Sequence, residues 1–408
     1  MKIGLFGGSF DPIHNGHLSI IEGALNSGCV DIVVVIPTVR NPFKRGRILS
    51  AAPYRFYMTK RAVEGRFKKN VFLCDIEFFL EGISYTANTI ANFCDKKYLK
   101  PFLKDRGFGK KAEEDHSFYW LCGSDILPSF DKWYKPEKIL ENAGLLVAQR
   151  PGDPTDIESE KQRIRTVLGI DTDIRSFEIK GVEAASSSIR ADKDFDRLPE
   201  EALDFIRTHG LYPSEDPLSK VSDKAAETYL ESAVAMYPVL GEKRLLHTLN
   251  TGLLSAVYAG RFGADPDKAL IAGTLHDCAK EIDIKEQKKM AMERCPELAV
   301  DEKLYHSPAG AVFAGELMGI DDEEILNAIT FHTTGKADMT TLEKIVFLAD
   351  KLEPSRTYTD LTLMRKLAET DLDASLMLCV RAVKNKFDAK GREIHPYTFE
   401  FMKDLGII

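Results

Sequence analysis

The sequence lacks the segments that mark export or membrane insertion. The first residues form no apolar stretch of the signal-peptide type, and no apolar run approaches the length that spans a bilayer. The seven cysteines form no C-x-x-C pair, and most lie in apolar runs, where cysteine acts as a small core residue. The net charge of -8 argues against general binding to nucleic acid or a membrane surface. These absences favour a cytoplasmic protein and leave self-association into a homo-oligomer open.

Length and pattern indicate two domains, because 408 residues are long for one. In the first half, short apolar runs alternate with helical patterns, which predicts an α/β domain with a parallel sheet. From about residue 221, apolar residues recur at helical spacing, which predicts an all-α domain. The polar, proline-containing stretch 213–222 is the predicted linker. The expected domains are therefore 1–212 and 223–408.

Strands of the first domain are predicted from apolar runs bounded by turn residues. The predicted strands are 2–6, 31–37, 71–75, 118–123 and 144–150. The polar and basic run 96–116 is predicted to be a surface excursion.

The segment GGSFDPIHNGH, which begins at Gly7, has the pattern of a phosphate-binding turn. Gly7 and Gly8 follow the first predicted strand, where the backbone turns and can approach a ligand closely. His17 is expected in the first turn of the next helix, whose free N–H groups suit a phosphate chain. His14 on the loop would reach the same phosphate and help stabilise its charge. The segment lacks both G-x-G-x-x-G and a P-loop lysine, which disfavours a dehydrogenase and a P-loop kinase.

A second phosphate contact is predicted in AASSSIR, residues 184–190. Serine hydroxyls can cap a helix start, and Arg190, three residues after Ser187, can grip phosphate oxygens in a fork. Alone, this pattern is more often a capped surface helix than a site. Together with the first motif, it predicts a common phosphate site.

Further phrases complete a resemblance. They are NPFK (41–44), SYTANT (84–89), GSDILPSFDKW (123–133) and IRTHGLY (206–212). With them, the first 212 residues resemble bacterial nicotinate-mononucleotide adenylyltransferases of the HxGH nucleotidyltransferase superfamily. Related phosphopantetheine adenylyltransferases usually carry Thr where His14 stands. The family's I-S-S-T-x-I-R differs here, since Ala184 and Ala185 occupy its first two places.

That resemblance implies a Rossmann-like nucleotidyltransferase fold. It also implies adenylyl transfer from ATP, with Mg²⁺, to nicotinate mononucleotide, giving deamido-NAD and pyrophosphate. Such direct transfer needs mainly positioning and charge stabilisation. The residues expected at the ATP phosphates are His14, His17 and Arg190, assisted by Ser9, Ser187 and Lys44. Thr86 and Trp133 are expected to contact nicotinate mononucleotide, and Gly123 and Asp125 to line the adenosine side. The other expected substrate-binding residues are Gly7, Gly8 and Phe10.

Four histidines and two aspartates of the second half lie beside or within apolar helical runs. They are His247, His276, Asp277, His306, His332 and Asp350. Such groups are costly in a helix-bundle interior unless they bind something that satisfies them. A pair of metal ions would do so, and mixed nitrogen and carboxylate ligands suit Fe, Mn, Co or Zn better than Ca²⁺.

An adjacent His-Asp pair, with an upstream His and a downstream Asp, is the signature of the HD phosphohydrolase superfamily. The phrases KRLLHT, AGTLHDCAK, HSPAGAVFA, AITFHTTG and IVFLADKLEPSR make residues 240–390 resemble bacterial HD-type symmetrical diadenosine tetraphosphate hydrolases. The resemblance implies that the six residues bind two transition-metal ions, iron first among them, and that diadenosine tetraphosphate is split to two ADP. Lys280, Thr333 and Arg356 are the candidate phosphate contacts, Lys280 with a catalytic role.

Two alternatives stay open for the second half. It could be a non-catalytic module that senses nucleotides or scaffolds an oligomer, although a degenerate sensor would be expected to lose ligands. It could also hydrolyse another nucleotide such as guanosine tetraphosphate. His116, His209 and His395 fit neither constellation and are predicted to be surface or packing residues.

Overall fold

A computed structural model describes residues 1–41, 50–150, 152–179, 185–358, 361–391 and 393–408. Contacts divide the chain into two compact units, Met1–Ile206 and Arg207–Ile408. The division falls shortly before the predicted boundary at residue 212.

A six-stranded parallel sheet forms the centre of the first unit. The strands are β1 (Lys2–Gly8), β2 (Ile32–Pro37), β3 (Val71–Leu73), β4 (Ser117–Gly123), β5 (Gly144–Gln149) and β6 (Ile174–Glu178). Their order is β3-β2-β1-β4-β5-β6, and Leu5 of β1 pairs with Val34 on one side and Trp120 on the other. All six residues of β2 are buried, as expected where helices cover both faces of a parallel sheet.

Eight α-helices connect or follow these strands in the described part of the chain. They are α1 (Asn15–Asn26), α2 (Ala52–Arg66), α3 (Thr86–Cys94), α4 (Lys96–Asp105), α5 (Pro136–Asn142), α6 (Ile157–Leu168), α7 (Ser186–Asp192) and α8 (Glu200–His209). The predicted α/β architecture with a parallel sheet is confirmed.

Two local predictions differ from the structure. Strand β6 was not predicted, because its IRSFE sequence is short, half polar and at the sheet edge. The prediction of a surface excursion at 96–116 is wrong in its first half, where α4 buries Leu99, Phe102 and Leu103. Their spacing is helical, but the lysines between them dominate the composition.

The sheet order reverses between β1 and β4, so the connections after these two strands leave in opposite directions. In open α/β sheets, ligands bind at such a point, beyond the carboxyl ends of the strands. Space requires glycine at position 7, near the end of β1, because a Cβ there would overlap the Trp120 indole. The missing side chain therefore lets the Trp120 indole pack directly against the backbone of β1.

The second unit is helical, as predicted. Beyond the last turn of α8 its helices are α9 (Asp223–Ala235), α10 (Glu242–Phe262), α11 (Pro266–Leu275), α12 (Ile284–Arg294), α13 (His306–Met318), α14 (Glu323–Phe331), α15 (Thr341–Leu352), α16 (Leu361–Leu367), α17 (Leu372–Ala389) and α18 (Pro396–Asp404). Within the predicted linker, Pro217–Lys220 forms a 3-10 turn whose Leu218 is buried.

No helix among the described residues is long and apolar enough to cross a membrane. All seven cysteines are described and carry free thiols, and five of them are buried. This agrees with their predicted role as small core residues.

Candidate active sites

A cleft of about 310 Å³ opens at the carboxyl ends of β1 and β4. Six predicted substrate-binding residues line it: Gly7, Gly8, Thr86, Gly123, Asp125 and Trp133. Tyr85 and Tyr134 also line it, and their rings stack with centroids 4.2 Å apart. Neither tyrosine was predicted, although each is the chain neighbour of a predicted residue. The cleft therefore offers aromatic surfaces beside polar groups, which suits a nucleotide.

His14 and His17 lie together at the start of α1. His14 is the N-cap residue and His17 the third residue of the helix, and their rings stack with centroids 3.7 Å apart. The backbone N–H of His14 donates to Nδ1 of His17 at 3.2 Å. Since Nδ1 is the acceptor, the neutral His17 ring carries its proton on Nε2 and can donate from there.

The environment of His14 keeps its ring neutral. Its side chain is buried, and Nδ1 has no hydrogen-bond partner among the described residues. Burial, followed by the nearby charge of Arg150, lowers the pKa of His14 to about 4. A buried nitrogen without a partner favours a polar ligand that would supply one.

Helix α7 contacts the loop that carries His14. The Arg190 guanidinium donates to the Asp11 carbonyl and lies 3.5 Å from an Asp11 carboxylate oxygen, while Ser186 Oγ donates to the Pro12 carbonyl at 2.9 Å. The prediction that a serine caps this helix is wrong. Ala185 holds the N-cap position, because the Ser186 hydroxyl bonds across to the loop.

Of the other predicted residues that the structure describes, none lines the cleft, and these include His14, His17 and Arg190. Phe10 is buried against Phe6 and His17, with ring centroids 5.4 and 5.0 Å away, so its side chain supports the loop. Ser187 is exposed on α7. Lys44 lies outside the described residues.

Arg55 on α2 holds the loops around the cleft and was not predicted. Its side chain is 1% exposed. Nη1 donates to the carbonyls of Ser9 at 2.8 Å and Thr38 at 2.6 Å, Nη2 to Val39 at 3.1 Å, and Nε to Ser50 at 2.8 Å. One buried cation thus joins the loop after β1 to the loop after β2. Its only signal in the sequence is an arginine within the aromatic stretch PYRFY.

Five helices bring the six predicted metal ligands together in the second unit. His247 comes from α10, Asp350 from α15, and the other four stand at helix ends: His276 and Asp277 after α11, His306 at the start of α13, and His332 after α14. All but Asp350 are buried, and Asp350 is 16% exposed. We call these six residues the HD cluster.

The HD cluster contains two tight groups of potential ligands. The first is His247, His276 and Asp350, and the second is His276, Asp277 and His332; in each, the ligand atoms lie within 4.8 Å of one another. His247 Nε2 is 3.0 Å from Asp350 Oδ1 and 3.2 Å from His276 Nε2. His306 belongs to neither group, but its Nε2 lies 3.4 Å from Asp277 Oδ1.

Hydrogen bonds on the outer side of three rings orient them for metal binding. Nδ1 of His276 donates to the Gly273 carbonyl and Nδ1 of His332 to the Ile329 carbonyl, both at 2.7 Å. Nδ1 of His247 lies 3.1 Å from Glu353. In its neutral form with the proton on Nδ1, each ring would direct an Nε2 lone pair into the cluster, as metal-binding histidines do.

Charge in the HD cluster also fits a cation. Burial opposes ionisation of Asp277 and Asp350, but surrounding histidines and, for Asp350, Lys351 hold both pKa values well below the usual range. Burial lowers the pKa of His276 and, more strongly, of His306. Asp277 Oδ1 is buried without a hydrogen-bond partner among the described residues. Ionised carboxylates and neutral imidazoles are the forms that bind metal.

His247 differs from His276 and His306, because Asp350 and Glu353 outweigh the effect of burial and raise its pKa. Metal binding there would displace a proton.

Cationic and hydroxyl groups surround the HD cluster. Lys280 Nζ lies 2.7 Å from His306 Nδ1, Thr333 Oγ1 lies 3.1 Å from His306 Nε2, and Arg356 Nη2 lies 2.7 Å from Asp350 Oδ1. All three predicted phosphate contacts thus reach the cluster. Two further cations were not predicted: Arg244, which pairs with Asp277 at 2.5 Å, and Lys351, which pairs with Asp350 at 3.3 Å.

The fold and the two sites define a nucleotidyltransferase-type α/β unit followed by an HD-type helical unit. The family model described as cytidylyltransferase-like matches residues 5–182, and the HD domain model matches residues 244–355.

Relatives cover either the whole chain or one half. A probable nicotinate-nucleotide adenylyltransferase/Ap4A hydrolase of Mycoplasma pneumoniae is 26% identical over 387 residues, covering 93% of this chain and 98% of the relative. A symmetrical bis(5'-nucleosyl)-tetraphosphatase of Bacillus subtilis is 37% identical over 172 residues, covering 41% of this chain and 92% of the relative. A probable nicotinate-nucleotide adenylyltransferase of Clostridium tetani is 30% identical over 215 residues, covering 52% and 98%.

The chain therefore belongs to the nicotinate-nucleotide adenylyltransferase family in its first half and to the symmetrical bis(5'-nucleosyl)-tetraphosphatase family in its second. Both resemblances drawn from the sequence are confirmed.

Proposed function

We propose that the chain is a bifunctional enzyme. The first unit transfers the adenylyl group of ATP to nicotinate mononucleotide, giving deamido-NAD and pyrophosphate. The second unit splits diadenosine tetraphosphate symmetrically into two ADP. The observation that supports this proposal is that six predicted substrate-binding residues line one cleft in the first unit and six predicted metal ligands lie together in the second, each in the half that matches the corresponding family.

In the transferase reaction, a phosphate oxygen of nicotinate mononucleotide attacks the α-phosphorus of ATP, and the bond to pyrophosphate breaks. His17 Nε2 would donate a hydrogen bond to the phosphate chain. Nδ1 of the neutral His14 ring, which has no hydrogen-bond partner among the described residues, would make a second hydrogen bond to the same phosphates. Arg190, held against the Asp11 loop, would add a charge-assisted contact. Mg²⁺ would enter with ATP, on the leaving phosphates.

The cleft would position the nucleotide bases. Trp133 and the stacked Tyr85–Tyr134 pair offer flat surfaces for the pyridine ring, and Thr86 a hydroxyl. Gly123 and Asp125 would line the adenosine side. Because the groups act by positioning and charge, no covalent intermediate is required.

The test of the transferase is product identification with ATP, Mg²⁺ and either nicotinate or nicotinamide mononucleotide. We expect deamido-NAD and an equal amount of pyrophosphate with the nicotinate substrate, and less product with the amide. His17→Ala should lower kcat about 10²- to 10³-fold, as loss of one charge-stabilising donor does. Wild-type kcat in this variant would contradict the role of His17.

In the hydrolase, the HD cluster would hold two transition-metal ions, iron or else Mn, Co or Zn. Such ions, when bound, activate water and neutralise phosphate charge. Lys280, Thr333 and Arg356 would hold phosphate oxygens, with Arg244 and Lys351 adding positive charge. The positive charges around the cluster favour a highly charged polyphosphate; they belong to Lys280, Arg356, Arg244 and Lys351.

The test of the hydrolase is a nucleotide panel with Mn²⁺, Fe²⁺ or Co²⁺ supplied in turn. Diadenosine tetraphosphate should yield ADP alone, because cleavage is at the central P–O–P link. ATP plus AMP would contradict symmetrical cleavage. Hydrolysis of guanosine tetraphosphate with diadenosine tetraphosphate left intact would favour the alternative substrate, and no hydrolysis at all would favour a sensing or scaffold module.

A further inference from the structure

Glu353 lies just after α15, behind the HD cluster, and its carboxylate is fully buried. Oε1 is 3.1 Å from Nδ1 of His247. Since an ionised carboxylate only accepts hydrogen bonds, it stabilises the ring form with the proton on Nδ1. Nε2 of His247 then keeps its lone pair toward Asp350 and His276, where a metal ion would bind.

Other donors hold Glu353 in place. Oε2 accepts from Nδ2 of Asn250 at 2.8 Å and from the backbone N–H of Ser355 at 2.8 Å. Oε1 also accepts from the Ser355 hydroxyl at 2.6 Å. Both oxygens are therefore occupied by donors on two sides, which fixes the plane of the carboxylate relative to the His247 ring.

The hydrogen-bond chain extends to His209. Asn250 Nδ2, which carries two hydrogens, lies 3.1 Å from Nδ1 of His209 as well as near Glu353. Beside this contact, a Cβ at Gly210 would lie 3.1 Å from Pro354 Cγ, so the segment packs closely against the residue after Glu353. His209 was predicted to be an ordinary surface or packing residue, and the structure gives it this specific contact.

His209 lies outside the residues 244–355 that match the HD domain model. It belongs instead to IRTHGLY, the phrase that resembles the end of an adenylyltransferase. Yet His209, Asn250 and Glu353 all lie in the second unit. The structural support of the HD cluster thus includes a segment that precedes the HD match.

We propose that Glu353 is a positioning residue for the metal ligand His247, and that residues 207–212 belong to the hydrolase site through the chain His209–Asn250–Glu353. The proposal rests on the metal site proposed above. A consequence is that the predicted boundary at residue 212 separates the hydrolase from part of its own support.

The direct test is Glu353→Gln in the full-length chain. A glutamine has the same shape, but its amide cannot accept from His247, Asn250 and Ser355 together, so it favours the ring form with the proton on Nε2. Titration of the metal-stripped chain with Co²⁺, followed by the visible d–d absorption of bound cobalt, should show about 10- to 100-fold weaker binding. The band shape should also change, which a purely structural loss would not produce.

Glu343→Gln is the matched control, because Glu343 is a buried glutamate on α15 that pairs with Lys336 at 3.2 Å. We expect it to bind Co²⁺ as the wild type does. If Glu353→Gln does not fold, Asn250→Ala replaces it, with weaker Co²⁺ binding again expected. Wild-type affinity and spectrum in the folded variant would overturn the positioning role.

His209→Ala tests the end of the chain. Loss of one hydrogen bond should weaken Co²⁺ binding about 2- to 10-fold, whereas His116→Ala in the first unit should change nothing. Unchanged binding in His209→Ala would overturn the assignment of residues 207–212 to the hydrolase site. If the wild type binds cobalt but leaves diadenosine tetraphosphate intact, the proposed substrate fails, while the comparison of affinities still decides the positioning role.

Discussion

Replacing the buried Arg55 by methionine tests how the transferase cleft is held open. Methionine has a similar length but removes all four donors to the Ser9, Thr38, Val39 and Ser50 carbonyls. The hydrogen bond to Val39 is wholly buried, and the other three are partly buried. Water can partly replace the lost donor at three of the carbonyls, so we use the lower end of the range for the cost of leaving a carbonyl without a hydrogen bond. At about 1 kcal/mol each, the free energy of unfolding of the first unit should fall by about 4 kcal/mol.

Arg55→Lys should lose less, because one ammonium keeps some donors but cannot reach acceptors arranged around a planar guanidinium. In both variants the loop after β1 loosens, so KM for ATP should rise more than kcat falls. Hydrolysis by the second unit should not change.

Urea unfolding followed by tryptophan fluorescence is the assay, since the two tryptophans, Trp120 and Trp133, both lie in the first unit. Arg66→Met is the control on the same helix. Arg66 pairs with Glu22 on the surface, with side chains 56% and 46% exposed, so its loss should cost less than about 1 kcal/mol. The role of Arg55 would be refuted if Arg55→Met lowered the free energy of unfolding no more than Arg66→Met does and left the KM for ATP unchanged.

Three further predictions concern pH, space and metal. The pKa of His14 is about 4 in the folded chain and 6.5 in the unfolded chain. Above pH 6.5 the ring is neutral in both states, so protonation of His14 does not lower the free energy of unfolding there. As pH falls toward 4, the unfolded ring takes up a proton before the folded one, so the free energy of unfolding of the first unit should fall by roughly 3 kcal/mol. In urea unfolding at a series of pH values, His14→Gln should make this pH dependence weaker. An unchanged pH dependence in the variant would contradict the effect of His14. Gly7→Ala should lower the free energy of unfolding of the first unit by about 1–3 kcal/mol and shift the fluorescence emission of Trp120, since the methyl group would overlap the indole. Wild-type stability and emission in this variant would show that the strand moves to make room for the methyl group. Removing metal with a chelator should lower the melting temperature of the second unit and stop its hydrolysis, with both restored by Mn²⁺ or Co²⁺, while the transferase recovers with Mg²⁺ alone; hydrolysis that survives chelation would exclude the metal site.

Periodicity predicted the class of each half, because a change from short apolar runs to helical spacing depends only on local sequence. Periodicity did not predict strand β6, because this strand lies at the edge of the sheet, is partly exposed and therefore contains few apolar residues. Helix α4 was also not predicted, because lysines flank its buried stripe.

The candidate sites were predictable where chemistry recurs in short motifs. His14 and His17 are three positions apart at a helix start, so their contact follows from local geometry. The HD cluster was recognisable as a set of polar residues in apolar surroundings. Arg55 and Glu353 were not, because a single charged residue shows no sign in the sequence of the buried acceptors or donors that tertiary packing places around it.

Independence of the two sites is tested most directly by two single variants, each assayed in both reactions. His17→Ala should lower deamido-NAD synthesis about 10²- to 10³-fold and keep release of ADP from diadenosine tetraphosphate, because its ring lies in the first unit, stacked on His14. Asp277→Ala removes a carboxylate shared by His306 and His332, so it should keep synthesis and lose hydrolysis. Loss of both activities in either variant, with the protein still folded, would contradict two separate polyphosphate sites.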